Sequence, residues 1–250
     1  PADVSTFVGR RHELAEAKRL LSRSRLVTLT GVGGVGKTRL ALRIATNVGK
    51  TFADGAWFVD LTKLSNPDML AEAVVETLSI RETTHRSALS TLIEHVRDRH
   101  LLVILDNCEH LLPECAALAD KLLSAAPRLR VLATSRHALN LTSEYTMAVP
   151  PLSVPEVDGA AELPRSLTQF EAIMLFAERA AAVVSHFTLT DENRAAVVAI
   201  CRRLDGIPLA IELAVARLRT LSPQQIVERL DDRYRLLTTG PRTVARRHQT

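Results

Sequence analysis

Residues 31–38 read Gly-Val-Gly-Gly-Val-Gly-Lys-Thr, and they lie between a strand-like run at 26–30 and a helix-like run at 39–48. They fit the phosphate-loop pattern G-x-x-x-x-G-K-[ST], in the strand-then-helix context that this motif requires. Glycines let the backbone curl until its N–H groups point inward around a phosphate chain. The stretch therefore predicts a nucleoside triphosphate site at the start of a helix.

Two side chains of this loop carry the expected chemistry. Lys37 is placed to reach the β- and γ-phosphates, and the hydroxyl of Thr38 is placed to bind Mg²⁺. The helix that follows offers N–H groups and its positive dipole end to the anion. The loop residues predicted to bind the nucleotide are Gly33, Gly34, Val35, Gly36, Lys37, Thr38 and Arg39.

A dinucleotide site is the competing interpretation of the same glycines. Gly31, Gly33 and Gly36 also spell G-x-G-x-x-G, and Asp60 ends the next predicted strand, about where a ribose-binding acid would lie. A Rossmann turn, however, has no use for Lys-Thr after its third glycine. It also does not predict a later strand that ends in a magnesium-type acid, so the sequence favours the triphosphate.

Residues 101–105 are five consecutive apolar residues, which is typical of a central parallel strand covered on both faces. Asp106 follows at the carboxyl end of this strand, where ligands of open α/β sheets bind, and it is predicted to hold Mg²⁺. Its neighbour Asn107 carries an amide, which cannot take a proton. Glu109 is either the group that polarises an attacking water or a solvated loop residue.

A further strand at 130–134 ends in Thr134-Ser135-Arg136. A polar residue and Arg136 at this strand end could contact the terminal phosphate and report its presence; the alternative is an arginine paired with a nearby acid at the sheet edge. The predicted catalytic residues are Lys37, Asp106, Glu109 and Arg136, and the predicted metal ligands are Thr38 and Asp106.

The pattern along the chain predicts an α/β P-loop NTPase domain at residues 1–150, with a parallel sheet flanked by helices. Its residues 1–25 form an N-terminal segment and helix. Residues 151–166 are rich in proline and predict a linker. Strand patterns then stop, and residues 167–240 predict a small all-α domain. A capping box of Thr168 and Glu171 opens its first helix, and Gly206 caps its second.

Composition narrows the remaining function classes. Aromatic residues make up only 4% of the chain, so few side chains could stack on nucleic-acid bases. The net charge is +4, and its positive residues are scattered along the chain. Three cysteines without C-x-x-C spacing indicate neither a disulfide framework nor a zinc site, and they favour a reducing, cytoplasmic setting. No apolar run approaches a membrane span. Without an initiator Met, and ending within a basic run, the sequence is expected to be a piece of a larger protein.

These motifs in this order resemble the STAND class of signal-transduction ATPases, the NB-ARC-like nucleotide switches. Within that class the chain is similar to the regulatory modules of large actinobacterial transcription factors, either LuxR-type or SARP-type. Residues 7–10 with Glu13 resemble the N-terminal hydrophobic-Gly-Arg-x-x-Glu motif of the class, and residues 101–110 resemble its Walker B strand. Residues 133–136 are similar to its sensor strand, and residues 206–210 to its Gly-x-Pro motif.

The resemblance implies roles beyond the phosphate loop. It places Val8, Gly9 and Arg10 against the adenine, and Pro208 with Leu209 on the base from the helical domain. It also implies a compact ADP state, looser packing with ATP, and self-association in the ATP state. DNA would be contacted only through a domain outside this chain, and residues 241–250 would begin a truncated winged helix.

Hydrolysis is expected to be slow, because Asn107 replaces the second acid found in many members of the class. Two alternatives remain: a motor or repair ATPase that acts directly on nucleic acid, and a scaffold that binds nucleotide without hydrolysing it. A motor predicts an additional acid directly after Asp106, an arginine finger supplied in trans and a basic or aromatic surface. Turnover of ATP separates the switch from the scaffold.

Overall fold

The computed structural model describes residues 6–80, 86–156 and 166–238, with side chains as far as residue 231. The chain divides into two compact units, Pro1–Pro150 and Pro151–Thr250. The predicted start of a winged helix at 241–250, and most of the predicted linker, lie outside the described residues.

The first unit contains a five-stranded sheet in which every registered pair is parallel. The strand order is β2-β3-β4-β1-β5. The predicted parallel sheet is thus confirmed. The strands are β1 (Leu26–Thr30), β2 (Ala56–Asp60), β3 (Leu102–Asp106), β4 (Arg130–Ser135) and β5 (Glu144–Ala148).

Helices cover both faces of this sheet, because the side chains of each strand alternate between two apolar clusters. In β3, Leu102 and Ile104 pack beneath α1 and α2, whereas Val103 and Leu105 pack beneath α3, α4 and α5. The same alternation decides which face of the sheet each polar residue at a strand end points to. The helices are α1 (Arg11–Arg23), α2 (Lys37–Val48), α3 (Leu70–Thr77), α4 (Ala88–Val96) and α5 (Leu112–Ala125).

The strand order rules out the dinucleotide interpretation. A Rossmann sheet places its second strand beside the first, so that the acid ending it can reach the ribose. Here β2 is an edge strand, and β3 and β4 lie between it and β1. Asp60 therefore does not end a strand next to β1, which is the position of a ribose-binding acid in a Rossmann sheet.

The second unit is helical, and its described residues form no strand. Pro208 and Pro223 each occupy the first position of a helix, where a missing N–H has no cost. The predicted capping box is wrong: the first helix begins at Glu171, its N-cap residue Phe170 has no side-chain cap bond, and the Glu171 N–H donates to Ser153 Oγ at 3.0 Å. The helices are α6 (Glu171–Val183), α7 (Arg194–Arg203), α8 (Pro208–Val215) and α9 (Pro223–Thr238).

The turn between α7 and α8 differs from the predicted glycine cap. Asp205, with φ of 51°, takes the left-handed position after the helix, and Gly206, with φ of 64°, follows it. A Cβ on Gly206 would lie 2.2 Å from the carbonyl oxygen of Leu152. The Leu152 N–H also donates to the Gly206 carbonyl at 2.9 Å. Glycine is needed here because a neighbouring backbone approaches it closely.

Candidate functional site

The predicted phosphate loop connects β1 to α2, and the helix begins at Lys37. Gly36 precedes it with φ of 96°, a left-handed conformation that other residues adopt only with strain. Its carbonyl accepts the N–H of Leu40 at 2.9 Å and so begins the helical ladder. The first N–H groups of α2 have no intrahelical acceptor, which is the arrangement that binds phosphate at a helix N-terminus.

Lys37 is folded back onto its own loop. Its Nζ donates to the carbonyl oxygens of Gly31 at 2.8 Å and Val32 at 3.1 Å. Burial lowers the pKa of Lys37 from its ordinary value, although the Glu109 carboxylate acts in the opposite direction. A partly desolvated ammonium that has only carbonyl partners is well suited to accept an anionic phosphate in their place.

Asp106 is the centre of a buried hydrogen-bond network and is only 4% exposed. The Thr38 hydroxyl donates to it at 2.8 Å from Oδ1 and 3.0 Å from Oδ2, and the Thr134 hydroxyl donates to Oδ1 at 2.6 Å. Burial raises the pKa of Asp106, while these two hydroxyl bonds act in the opposite direction. The two predicted metal ligands are thus in direct contact.

Asp60, which only the disfavoured dinucleotide interpretation used, is a neighbour of Asp106. The two residues are register partners at the ends of β2 and β3. Phe58 and Ile104, two residues earlier in each strand, both pack on the α2 side, so both carboxylates point to that side. Hydrogen bonds from Thr62 lower the pKa of Asp60, and its charge contributes to the raised pKa of Asp106.

Glu109 and Arg136 form an ion pair, with Arg136 Nε 2.9 Å from Glu109 Oε1. The Arg136 side chain is 60% exposed and the Glu109 side chain 21%. The same guanidinium lies beside the phosphate loop, since a Cβ on Gly33 would be 3.6 Å from its Nη2. The charges of Glu109, Arg136 and Asp106 all act on Lys37. The four predicted catalytic residues therefore lie in one region.

The N-terminal motif contacts the loop through a buried arginine. Arg10 is 4% exposed; its Nη1 donates to Glu13 Oε1 at 2.8 Å and its Nη2 to the Val35 carbonyl at 3.1 Å. Val8 and Gly9, directly before it, are half-buried. Arg10 thereby fixes the segment before α1 to the backbone of the phosphate loop.

Arg39 contacts this segment from α2, and its Nη2 donates to the Thr6 carbonyl at 3.0 Å. The guanidinium carbons of Arg39 and Arg43 lie 6.0 and 5.8 Å from the ring centre of Phe7. Pro208 and Leu209 belong to the second unit, where they begin α8, and Leu209 is 52% exposed.

The fit of a divalent cation can be judged from the ligand types. Among the described residues, no group of three or more His, Cys, Asp and Glu side chains could hold a metal ion. Thr38 and Asp106 offer only oxygen ligands, which suits Mg²⁺ bound mainly through phosphate and water oxygens.

None of the helices in the described part of the chain is long and apolar enough to cross a membrane.

The parallel sheet, the glycine loop opening α2 and the buried acid on β3 together define a P-loop NTPase. Residues 19–144 match the profile of the AAA domain family, and the chain belongs to this family. An uncharacterised protein of Mycobacterium tuberculosis is 42% identical over 247 residues, covering 99% of this chain and 59% of the relative. The chain thus spans about three fifths of the length of that relative.

Two further relatives are larger still. A protein of M. tuberculosis that is provisionally named an HTH-type transcriptional regulator is 44% identical over 233 residues, covering 93% of this chain and 25% of the relative. The regulatory protein AfsR of Streptomyces griseus is 30% identical over 273 residues, covering 98% of this chain and 24% of the relative.

Solved structures share the fold at low identity. Cdc6p of Pyrobaculum aerophilum has a TM-score of 0.60 and 18% identity, covering 87% of this chain and 62% of that protein. A STAND protein with a tetratricopeptide repeat sensor from Pyrococcus horikoshii has a TM-score of 0.56 and 15% identity, covering 93% of this chain and 33% of that protein. These likenesses concern the fold alone.

Proposed function

We propose that this chain is an ATP/ADP-binding regulatory switch module of a larger signalling protein or transcriptional regulator, of the STAND type. The relatives named as regulators are several times longer than this chain, which suits a module whose output lies elsewhere. A compact sheet domain joined to a helical unit suits a protein that changes shape with its nucleotide.

One observation carries the proposal: the polar side chains of the site are bonded to one another or to the backbone of the phosphate loop. Lys37 binds loop carbonyls, Thr38 binds Asp106, and Arg136 binds Glu109. A nucleotide must exchange these bonds for bonds of its own, so the free and bound states differ in their contacts. Differential contact is what allows a ligand to bias a two-state equilibrium.

The proposal gives each polar group of the site a role. Lys37 and the N–H groups of residues 33–39 bind the phosphates, and Thr38 and Asp106 hold Mg²⁺, which neutralises phosphate charge when bound. Arg136 leaves Glu109 for the terminal phosphate and so distinguishes ATP from ADP. Glu109, once released, orients the attacking water. Because Asn107 carries an amide, which cannot take a proton, in place of a second acid, hydrolysis is slow.

The base is enclosed by residues from both ends of the chain. Val8, Gly9 and Arg10 lie against the adenine, and Pro208 and Leu209 close on it from the helical unit. The exposed apolar side chain of Leu209 suits such a contact. The other partners are a winged helix and effector domains of the parent protein, and a second copy in the ATP state. DNA is reached only through another domain, and the setting is cytoplasmic.

The first experiment is to denature the purified chain and identify any released nucleotide by ion-exchange chromatography. Stoichiometric ADP supports a closed resting switch. ATP and ADP affinities, measured by calorimetry with Mg²⁺ and with EDTA, then test the site. Turnover that DNA stimulates strongly would favour the motor interpretation, and a complete lack of turnover with bound ATP would favour the scaffold.

The contribution of the helical unit is tested with Pro208→Ala. We expect this variant to weaken nucleotide binding and base selectivity while the dependence on Mg²⁺ stays intact. If ATP and GTP affinities both remain at wild-type values, the helical unit does not close on the base.

A further inference from the structure

Thr134 is a buried polar residue near the carboxyl end of β4 that none of these roles uses. It is 1% exposed. Its strand lies between β1 and β3 in the sheet, so the residue stands between the phosphate loop and Asp106. Leu132, two positions earlier, packs beneath α2, and the alternation along the strand turns Thr134 to the same face.

The hydroxyl of Thr134 forms hydrogen bonds with two residues at the end of β3, the Walker B strand. It donates to Asp106 Oδ1 at 2.6 Å and accepts the Asn107 N–H at 3.0 Å. A hydroxyl has a single hydrogen to donate, so none remains for a phosphate oxygen while this bond stands. The sequence alone suggested that a polar residue at this strand end contacts the terminal phosphate, whereas the geometry gives Thr134 a different partner.

The second bond supports the left-handed turn at Asn107. The registered pairing of β3 with β4 ends at Leu105 opposite Ala133, so the Asn107 N–H has no backbone partner in this ladder. Asn107 has φ of 66°, a left-handed conformation that few residue types other than glycine and asparagine adopt. The Thr134 oxygen supplies the acceptor that holds the turn. Glu109 lies two residues farther along.

We propose that Thr134 is a positioning residue of the nucleotide site. Through Asp106 Oδ1 it fixes the carboxylate that receives the hydrated cation, and through the Asn107 N–H it fixes the turn that aims Glu109. The part of this inference that concerns Mg²⁺ rests on the proposed nucleotide function, whereas the part that concerns the turn does not.

The first test compares Thr134→Val, which removes the hydroxyl at nearly constant volume, with Thr134→Ser, which keeps it. ADP binding is measured by calorimetry with Mg²⁺ and with EDTA. We expect Thr134→Val to lower the affinity gained from Mg²⁺ by about tenfold, because two buried polar groups lose their partner. The affinity of Thr134→Val for ADP in EDTA should stay within about twofold of wild type. Thr134→Ser should stay within the same range both with Mg²⁺ and with EDTA. An equal loss with and without Mg²⁺, or no loss, overturns the role toward the cation.

The second test needs no nucleotide. We expect the amide of Asn107 to exchange with solvent about tenfold faster in Thr134→Val than in wild type, with protection restored in Thr134→Ser and the amide of Val103 unchanged. Unaltered protection of Asn107 overturns the role in the turn. If wild-type chain fails to bind MgADP, the proposed function fails, and amide exchange still decides whether Thr134 holds the turn.

Discussion

Arg136 Nε donates to Glu109 Oε1 at 2.9 Å, and the same guanidinium lies beside Gly33 of the phosphate loop. An ion pair as exposed as this one contributes roughly 0.2–1 kcal/mol, which a doubly charged terminal phosphate can readily outcompete. The resting contact is therefore weak enough to be exchanged for a contact with the phosphate.

For that reason we expect Arg136→Ala to reduce the preference for ATP over ADP by about five- to twentyfold, since one charge-assisted bond to the terminal phosphate is lost. Calorimetric titrations with each nucleotide measure the ratio. Arg128→Ala is the matched control, because Arg128 is an exposed arginine that precedes the same strand. An ATP/ADP ratio that does not change would leave Arg136 as a surface ion-pair residue only.

Replacing Glu109 by Gln tests the water-orienting role. Gln keeps an oxygen for Arg136 but is not basic, so ATP affinity should change by less than about twofold while turnover falls by about tenfold or more. Single-turnover measurement of phosphate release distinguishes the two effects. Wild-type turnover in Glu109→Gln would mean that Glu109 is merely a solvated residue next to Arg136.

Lys37→Ala removes the ammonium that now binds the carbonyls of Gly31 and Val32. We expect nucleotide affinity to fall by about tenfold or more, because the phosphates lose a charged donor. Lys50→Ala, at an exposed lysine just after α2, should bind as wild type does. Equal affinities for the two variants would sink the assignment of the phosphate site.

Asp106 makes the stability of the nucleotide-free chain depend on pH. Because burial raises its pKa in the folded state above the ordinary 3.8, the folded state binds more protons than the unfolded state between those two values. Stability therefore falls as pH rises through this window, and the full cost of the ionised carboxylate persists above it.

Asp106→Asn should remove that cost along with the metal site. In EDTA near neutral pH we expect the variant to melt about 2–4 °C above wild type, with the difference shrinking as the pH approaches 4. Mg²⁺ should no longer strengthen ADP binding. A variant that melts below wild type at neutral pH would show that the buried carboxylate stabilises the fold.

Gly206→Ala places a Cβ 2.2 Å from the Leu152 carbonyl at a residue with positive φ. We expect a loss of roughly 2–4 kcal/mol in the stability of the helical unit, measured by chemical denaturation. Gly49→Ala is the control: Gly49 has φ of −54°, and the nearest atom to its Cβ would be 3.9 Å away. That substitution should be neutral or stabilise by about 0.5 kcal/mol. Equal effects of the two changes would contradict a close backbone approach at Gly206.

Much of this architecture could be predicted from the sequence, because its signals are local. The five apolar residues before Asp106, the glycine loop and the prolines that begin α8 and α9 each specify an element by themselves. The grouping of Lys37, Thr38 and Asp106 also followed, since carboxyl ends of parallel strands meet at one edge.

What could not be predicted depends on strand order and on which partner a polar group selects. A ribose role for Asp60 was disfavoured on motif grounds but could not be rejected on its position, because the residues of β2 do not show that this strand lies at the sheet edge. The α6 start was assigned to Thr168, yet Ser153, eighteen residues before Glu171, supplies the acceptor. Thr134 could have been found from its spacing of two from buried Leu132, which places it on the α2 face.

The backbone on either side of Pro150 and Pro151 is anchored: the Val149 N–H donates to the Thr30 carbonyl at 2.7 Å, and the Leu152 N–H donates to the Gly206 carbonyl at 2.9 Å. Only the two prolines lie between these anchors, and their rings fix φ and leave no N–H to bond. A boundary for expressing either unit separately therefore falls between Pro150 and Pro151. A cut before Val149 would remove its bond to Thr30 from the first unit, and a cut after Leu152 would remove its bond to Gly206 from the second.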